Sequence, residues 1–167
     1  MKSIFFRILP VAMLVFMLDY CSSDNLESQD RAEPTIEVIN YTYNSSELET
    51  MELINSYRIS IGMNVLEKNN YISYKSEEHN NYMITHNVVN HDDFVARAQN
   101  IINVLGAKKV SENIAYNYNS PKAVFDAWMR SPKHKENIMG DSSHIGISIR
   151  ENPVNGKKYY TNIFVKL

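Results

Sequence analysis

A chain of 167 residues, 44% of them hydrophobic, is long enough for one domain with a substantial core and too short for two. Its formal net charge of −2 provides no basic field for a polyanion, so nucleic acid is not an expected partner. With Cys21 as the only cysteine, no intrachain disulfide can form, and stability has to come from apolar burial.

Met1 to Tyr20 starts with two basic residues, Lys2 and Arg7, and continues as an apolar run from Ile8 to Leu18. That run is too short to cross a bilayer, so residues 1–20 are expected to be an export signal. Cys21 follows at once, before the polar residues Ser22, Ser23, Asp24 and Asn25. This resembles the lipid-modified cysteine of a bacterial lipoprotein, with Leu18 fitting the lipobox and Asp19 and Tyr20 standing where small residues are usual. Lipidation at Cys21 and a membrane partner are therefore expected, the alternative being ordinary secretion with an incidental thiol. Residues 21–45 read as a tether: Ser22 to Pro34 has no hydrophobic period, and Ile36 to Tyr43 alternates weakly, as a strand or an ordered linker would.

The domain is expected over residues 46–167. Ser46 and Glu49 have the spacing of a capping box, opening a helix whose buried stripe carries Ile54, Tyr57 and Ile61 and which Gly62 stops. A second helix, about Asn70 to Asn87, sets Ile72, His79, Met83 and His86 on one face. His79 there reads most simply as a hydrogen-bonded core histidine, with a ligand role as the lesser alternative. His86 reads as a partner for the helix-terminal carbonyls. His91 leaves that stripe for a turn-like Asn-His-Asp-Asp segment, after which Asp92 or Asp93 opens a third helix with Phe94, Ala98, Ile101 and Leu105 inward, closed by Gly106.

Farther along, Glu112 lies between the apolar Val110 and Ile114, two positions to either side, and must be solvated or paired, while Asn113 suits a backbone-bracing role. Ser120-Pro121 starts a helix carrying Ala123, Val124, Ala127 and Trp128. Ser131 can cap the next helix with its hydroxyl, Pro132 takes its first position, and His134 falls in its first turn. Ile145, Ile147 and Ile149 alternate with polar residues, and Tyr159 to Lys166 forms a matching strand after a turn containing Asn155-Gly156, which predicts an antiparallel hairpin. Helices before and around such a sheet predict an α+β fold, an α-β-α sandwich.

Five segments together resemble the bacterial CAP domain, the cysteine-rich secretory, antigen 5 and pathogenesis-related 1 superfamily, also called SCP. Trp128 and Ser131-Pro132-x-His134-x-x-Asn137-Ile138 are similar to its W-x-x-S-P-x-H-R-x-N-I-L signature. Asn90-His91-Asp92, Ser111-Glu112-Asn113-Ile114-Ala115, His144-Ile145-Gly146-Ile147 and Tyr160-Thr161-Asn162 fall in the family's order and spacing. The resemblance implies the same sandwich and a cleft formed by His91, Glu112 and His134, with Asn113, Ser131 and His144 beside it. Ser111 replaces the usual glycine. Ser131 stands where eukaryotic relatives often carry a second glutamate, so the His-Glu-Glu-His tetrad is reduced to three residues.

Two imidazoles and a carboxylate are an adequate ligand set for a divalent ion, and zinc binding by some relatives makes His91, Glu112 and His134 the candidate metal ligands. Their spacing has none of the compactness of a zinc peptidase motif. Ser111 or Ser131 beside a histidine would suit a hydrolase, yet no nucleophile elbow is present. The expectation is an exported, lipid-anchored, non-enzymatic module of the cell envelope that binds a lipid, a glycan or a peptide. The alternatives are a metal-assisted hydrolase or peptidase, and a structural or adhesion domain with a vestigial cleft.

Overall fold

Alternation along the strands decides which helices lie on which side of the sheet. A computed structural model of the chain describes residues 39–167, so the expected export signal, Cys21 and most of the segment read as a tether lie outside the described residues. Within it the elements run α1 (Ser45–Ser60), β1 (Glu67–Lys68), α2 (Asn70–His86), α3 (Phe94–Leu105), β2 (Lys109–Tyr116), α4 (Pro121–Arg130), α5 (Pro132–Ile138), β3 (His144–Glu151) and β4 (Lys158–Lys166). The strand order is β1-β3-β4-β2, with β1 parallel to β3 and the other pairs antiparallel. Ile145, Ile147, Ile149, Tyr160 and Phe164 face one way, into a core closed by Met51, Ile54, Val124, Trp128 and Ile138 from α1, α4 and α5. Ile163 and Val165 face the other way, against Ile72 of α2 and Ile101 of α3. The result is the expected α-β-α sandwich, in which each fully buried large apolar side chain contributes about 1.5–3 kcal/mol.

The hairpin of β3 and β4 and the second helix fall where periodicity put them. Gly62 and Gly106 adopt positive φ just past α1 and α3, the conformation that ends a helix there. The first helix, however, starts earlier than expected. Asn44, not Ser46, is the cap: its Oδ1 accepts from the Glu47 N–H at 3.0 Å, and Glu47 Oε2 accepts from the Asn44 N–H at 2.9 Å. Tertiary contacts decide between the two overlapping capping boxes. Glu47 is fully buried and its Oε1 accepts from the Tyr41 hydroxyl (2.8 Å), the Ile149 N–H (2.9 Å) and Arg150 Nη1 (2.7 Å), whereas Glu49 faces solvent. Tyr41 and Tyr43, at the end of the segment read as tether, are thereby tied to the domain, Tyr43 through Ser73 Oγ at 2.9 Å. The described part of that segment forms no strand.

The buried stripe of α1 is Met51, Ile54 and Arg58; Tyr57 is only partly covered, and Ile61 lies beyond the last turn and is exposed. Two strands escaped the sequence reading, the short β1 and β2, whose sequence KVSENIAY carries a buried glutamate and asparagine in place of apolar residues. Ser111 is accommodated without positive φ because it belongs to this extended strand. Side chains occupy the outer edges of the sheet. Along β2, Asn137 Nδ2 donates to the Glu112 carbonyl (3.2 Å) and Trp128 Nε1 to that of Ile114 (3.0 Å). Beside β3, Ser73 Oγ and Glu47 Oε1 accept from the N–H groups of Ile147 and Ile149. Edges filled in this way are poor templates for pairing with another chain.

Candidate functional site

Glu112 projects from the outermost full-length strand toward the side covered by α2 and α3, and three cationic or imidazole groups converge on it. Its side chain is 1% exposed. Arg97 of α3 grips the carboxylate with two bonds, Nε to Oε2 at 2.8 Å and Nη2 to Oε1 at 2.9 Å. His91, in the connection between α2 and α3, donates from Nδ1 to Oε1 at 2.9 Å. His79 of α2 is the fourth member, its Nε2 4.0 Å from Oε1 and 2.8 Å from the Asn90 carbonyl. That carbonyl accepts only, so Nε2 carries the hydrogen. His79 is thus the hydrogen-bonded core histidine expected of it, and His86 Nδ1 meets the Tyr82 carbonyl at 2.9 Å, in the last turns of α2.

His134 approaches from the opposite layer. Asn113 Nδ2 donates to the His134 carbonyl at 3.0 Å, and Asn137 Nδ2 donates to Asn113 Oδ1 at 2.8 Å, so two amides fix α5 against β2. The imidazole is half-buried, and burial first, with the nearby His91 second, pushes its pKa below the usual 6.5. Of the predicted trio, Glu112 and His91 are bonded directly, while His134 is tied to the same edge strand only through its backbone carbonyl and feels His91 electrostatically. The flanking residues divide. Asn113 braces the backbone as expected. Ser131 heads α5 through its carbonyl, which accepts from Lys135 N at 2.9 Å, but its hydroxyl makes no capping bond; the residue also closes α4, its N–H donating to the Trp128 carbonyl at 3.1 Å. His144 opens β3, two strands away from β2, where its Nδ1 meets Ser143 Oγ at 2.9 Å and its Nε2 approaches Glu67 at 3.6 Å. It belongs to an acid pair at the far edge and leaves the cleft.

The sequence model of the cysteine-rich secretory protein family, CAP, matches residues 51–165. The chain belongs to the CAP family. It is 26% identical over 140 residues to the uncharacterized membrane protein YlbC of Bacillus subtilis, a match covering 73% of this chain and 35% of that protein. Among solved structures it resembles an outer surface protein of Borrelia burgdorferi, with a TM-score of 0.63 at 17% identity over 76% of this chain and 97% of that one. An extracellular SCP-domain protein of Bacillus anthracis gives a TM-score of 0.64 at 19% identity, covering 73% of this chain and 40% of the other. The chain thus spans well under half the length of YlbC and of the B. anthracis protein.

Two members of this CAP site were not found in the sequence. Arg97 lies one helical turn after Phe94 and one before Ile101, so a cation on the inward stripe of the third helix was the available signal. Asn137 was read as part of the signature without a role, although its amide joins α5 to β2. Metal binding has to be judged on the donor set. Both oxygens of Glu112 already accept hydrogen bonds, and a guanidinium lies against them, whose positive charge opposes a second cation. Among the described residues no three His, Cys, Asp or Glu side chains are arranged to hold an ion. The trio in this arrangement does not suit a zinc site. Neither Ser111 nor Ser131 is hydrogen-bonded to an imidazole, so neither is paired with a base in the cleft.

Two histidines with depressed pKa values give stability a pH dependence. Burial holds His79 below the ordinary value of 6.5, and the same applies to His134. The unfolded chain then binds more protons than the native one just below that value, so stability present near neutrality is lost as pH falls through the unfolded pKa toward the folded ones. Urea midpoints should drop between pH 7.5 and 5.5, and His79→Gln should flatten the decline. An equal decline in the variant would assign it to other groups.

Proposed function

We propose that this chain is an exported CAP domain, anchored to the envelope through Cys21, that binds a glycan of the cell envelope at the cleft of His91 and His134 without acting on it chemically. One observation carries the reading: the only carboxylate in the cleft trio is committed to Arg97 and His91. A carboxylate held by a bidentate guanidinium is a poor proton acceptor and a poor metal ligand, but it fixes its neighbours firmly. His91 is oriented by it with half of its side chain exposed, and its Nε2 has no hydrogen-bond partner among the described residues. Ordered groups of this kind recognise hydroxyls without reacting with them.

The surroundings include groups suited to a sugar. His91 borders a shallow groove of about 590 Å³ that also carries Asp92, Asp93, Phe94, Val95, Ala96 and Gln99. Carboxylates and an amide can pair with hydroxyl groups, while an aromatic ring can lie against the C–H face of a pyranose. Export is supported by the signal-like residues 1–20 and by relatives described as extracellular, outer-surface or membrane proteins.

Calorimetric titration of the purified chain with soluble cell-wall glycan fragments tests the reading. Binding should occur and weaken at least about tenfold in His91→Ala and in His134→Ala, the loss expected when a well-placed hydrogen bond is removed from a site. Release of new reducing ends would mean that the protein is a hydrolase. Heat only with phospholipid vesicles, and none with the glycan, would replace the sugar by a lipid.

A further inference from the structure

Arg58 is a fully buried cation that no carboxylate touches among the described residues. Asp141, the acid whose charge acts on it, is bonded to Lys166 Nζ at 2.8 Å and exposed. The arginine's donors go to backbone carbonyls instead: Nη1 to Ile138 O at 2.7 Å and Gly140 O at 2.9 Å, Nη2 to Ser142 O at 3.4 Å, and Nε to Asn64 O at 2.8 Å. Nη2 also meets Asn64 Oδ1 at 3.0 Å, and Asn64 Nδ2 donates to the Ser142 carbonyl at 3.0 Å. Burying a guanidinium among neutral acceptors carries a large desolvation cost, which a purely apolar residue on this stripe of α1 would avoid.

The carbonyls it gathers belong mainly to one segment. Ile138 is the last residue of α5, and Gly140 and Ser142 lie in the connection from α5 to β3. A helix of seven residues is not stable alone, and this one lacks a side-chain cap at its start. Its C-terminal carbonyl end carries partial negative charge, which a cation placed there stabilises. We propose that Arg58 is a positioning residue for the cleft, holding the C-terminal end of α5 so that His134 and Asn137 stay seated against β2. The inference rests on reading the cleft as the functional site, but its test needs no ligand, so failure of the glycan proposal would leave it standing.

Hydrogen exchange and imidazole NMR titration on the full domain are the test, with Arg58→Met and Arg58→Lys compared with wild type. In Arg58→Met the Lys135 and Met139 amides, which bond to Ser131 O and Lys135 O, should exchange about tenfold faster relative to α4 amides such as Val124. His134 should titrate closer to an ordinary histidine, and Arg58→Lys, which keeps the charge with fewer donors, should lie between. Arg150→Met, which removes a partly buried cation paired with Glu47 and Glu77, serves as a destabilised control and should leave the α5-to-α4 ratio unchanged. If Arg58→Met does not fold, the lysine variant decides by the same two readouts. A folded variant with lower overall stability, an unchanged exchange ratio and an unmoved His134 titration would overturn the proposal.

Discussion

Gly146→Ala is expected to destabilise the domain by about 4 kcal/mol or more, at the extreme end of single substitutions. A Cβ on Gly146 would stand 2.4 Å from both the Ile72 carbonyl carbon and the Ser73 nitrogen and 2.5 Å from Ile72 Cγ2. Two of these three are backbone atoms of α2, so no rotamer change relieves the clash. The whole helix must lift from β3, and with it the bonds from Asn80 Nδ2 to Ser148 O at 2.7 Å and from the Ile147 N–H to Ser73 Oγ. Net stabilities of single domains are about 5–15 kcal/mol, so a loss of this size leaves little native protein. Circular dichroism with urea denaturation measures it, and a cost below about 1 kcal/mol would mean that α2 is seated farther from the sheet.

Arg97→Met carries the second large effect and acts on the cleft itself. The side chains of Arg97 and Glu112 are 8% and 1% exposed, so removing the guanidinium strands a carboxylate away from water with His91 as its remaining side-chain hydrogen-bond partner. Breaking a buried pair on one side costs about 3–5 kcal/mol. Replacing both members by apolar residues, Arg97→Met with Glu112→Leu, should recover most of that stability, because the desolvation penalty then disappears from both sides. The same double variant should still lose glycan binding, since nothing would hold the His91 ring in place. Additive losses in the two single variants would show that the pair is not coupled.

Much of this molecule was legible in the sequence, and the misreadings have physical causes. Ile145, Ile147 and Ile149 announced a strand because nothing but a sheet rewards that alternation, although Gly146 and Ser148 on its other face are buried as well. Ser120-Pro121 marked a helix start correctly: Ser120 Oγ accepts from the Ala123 N–H at 3.1 Å. Local patterns failed where long-range partners decide. Asn44 outcompetes Ser46 through Tyr41, Ile149 and Arg150, none of which belongs to the helix. β2 was invisible because two of its three buried residues, Glu112 and Asn113, are polar, and these are buried only because Arg97, His91 and Asn137 arrive from three other elements. The ordered family motifs located His91, Glu112 and His134, yet spacing alone could not show that a guanidinium would take up the carboxylate. Arg58 was passed over for a related reason. A charged residue on a buried stripe reads as an interruption of the period, when here it is the stripe's largest buried member.

The commitment of Glu112 to Arg97 and His91 is what separates a binding cleft from a metal-dependent hydrolase, and a zinc titration followed through the imidazole nitrogens of His91 and His134 examines it directly. The expected result is that the His91 Nδ1 signal stays that of a protonated nitrogen bonded to a carboxylate, with no stoichiometric shift of the two rings together. Uptake of one zinc per chain that shifts both rings, displaces the Nδ1 proton and disappears in Glu112→Gln would contradict it.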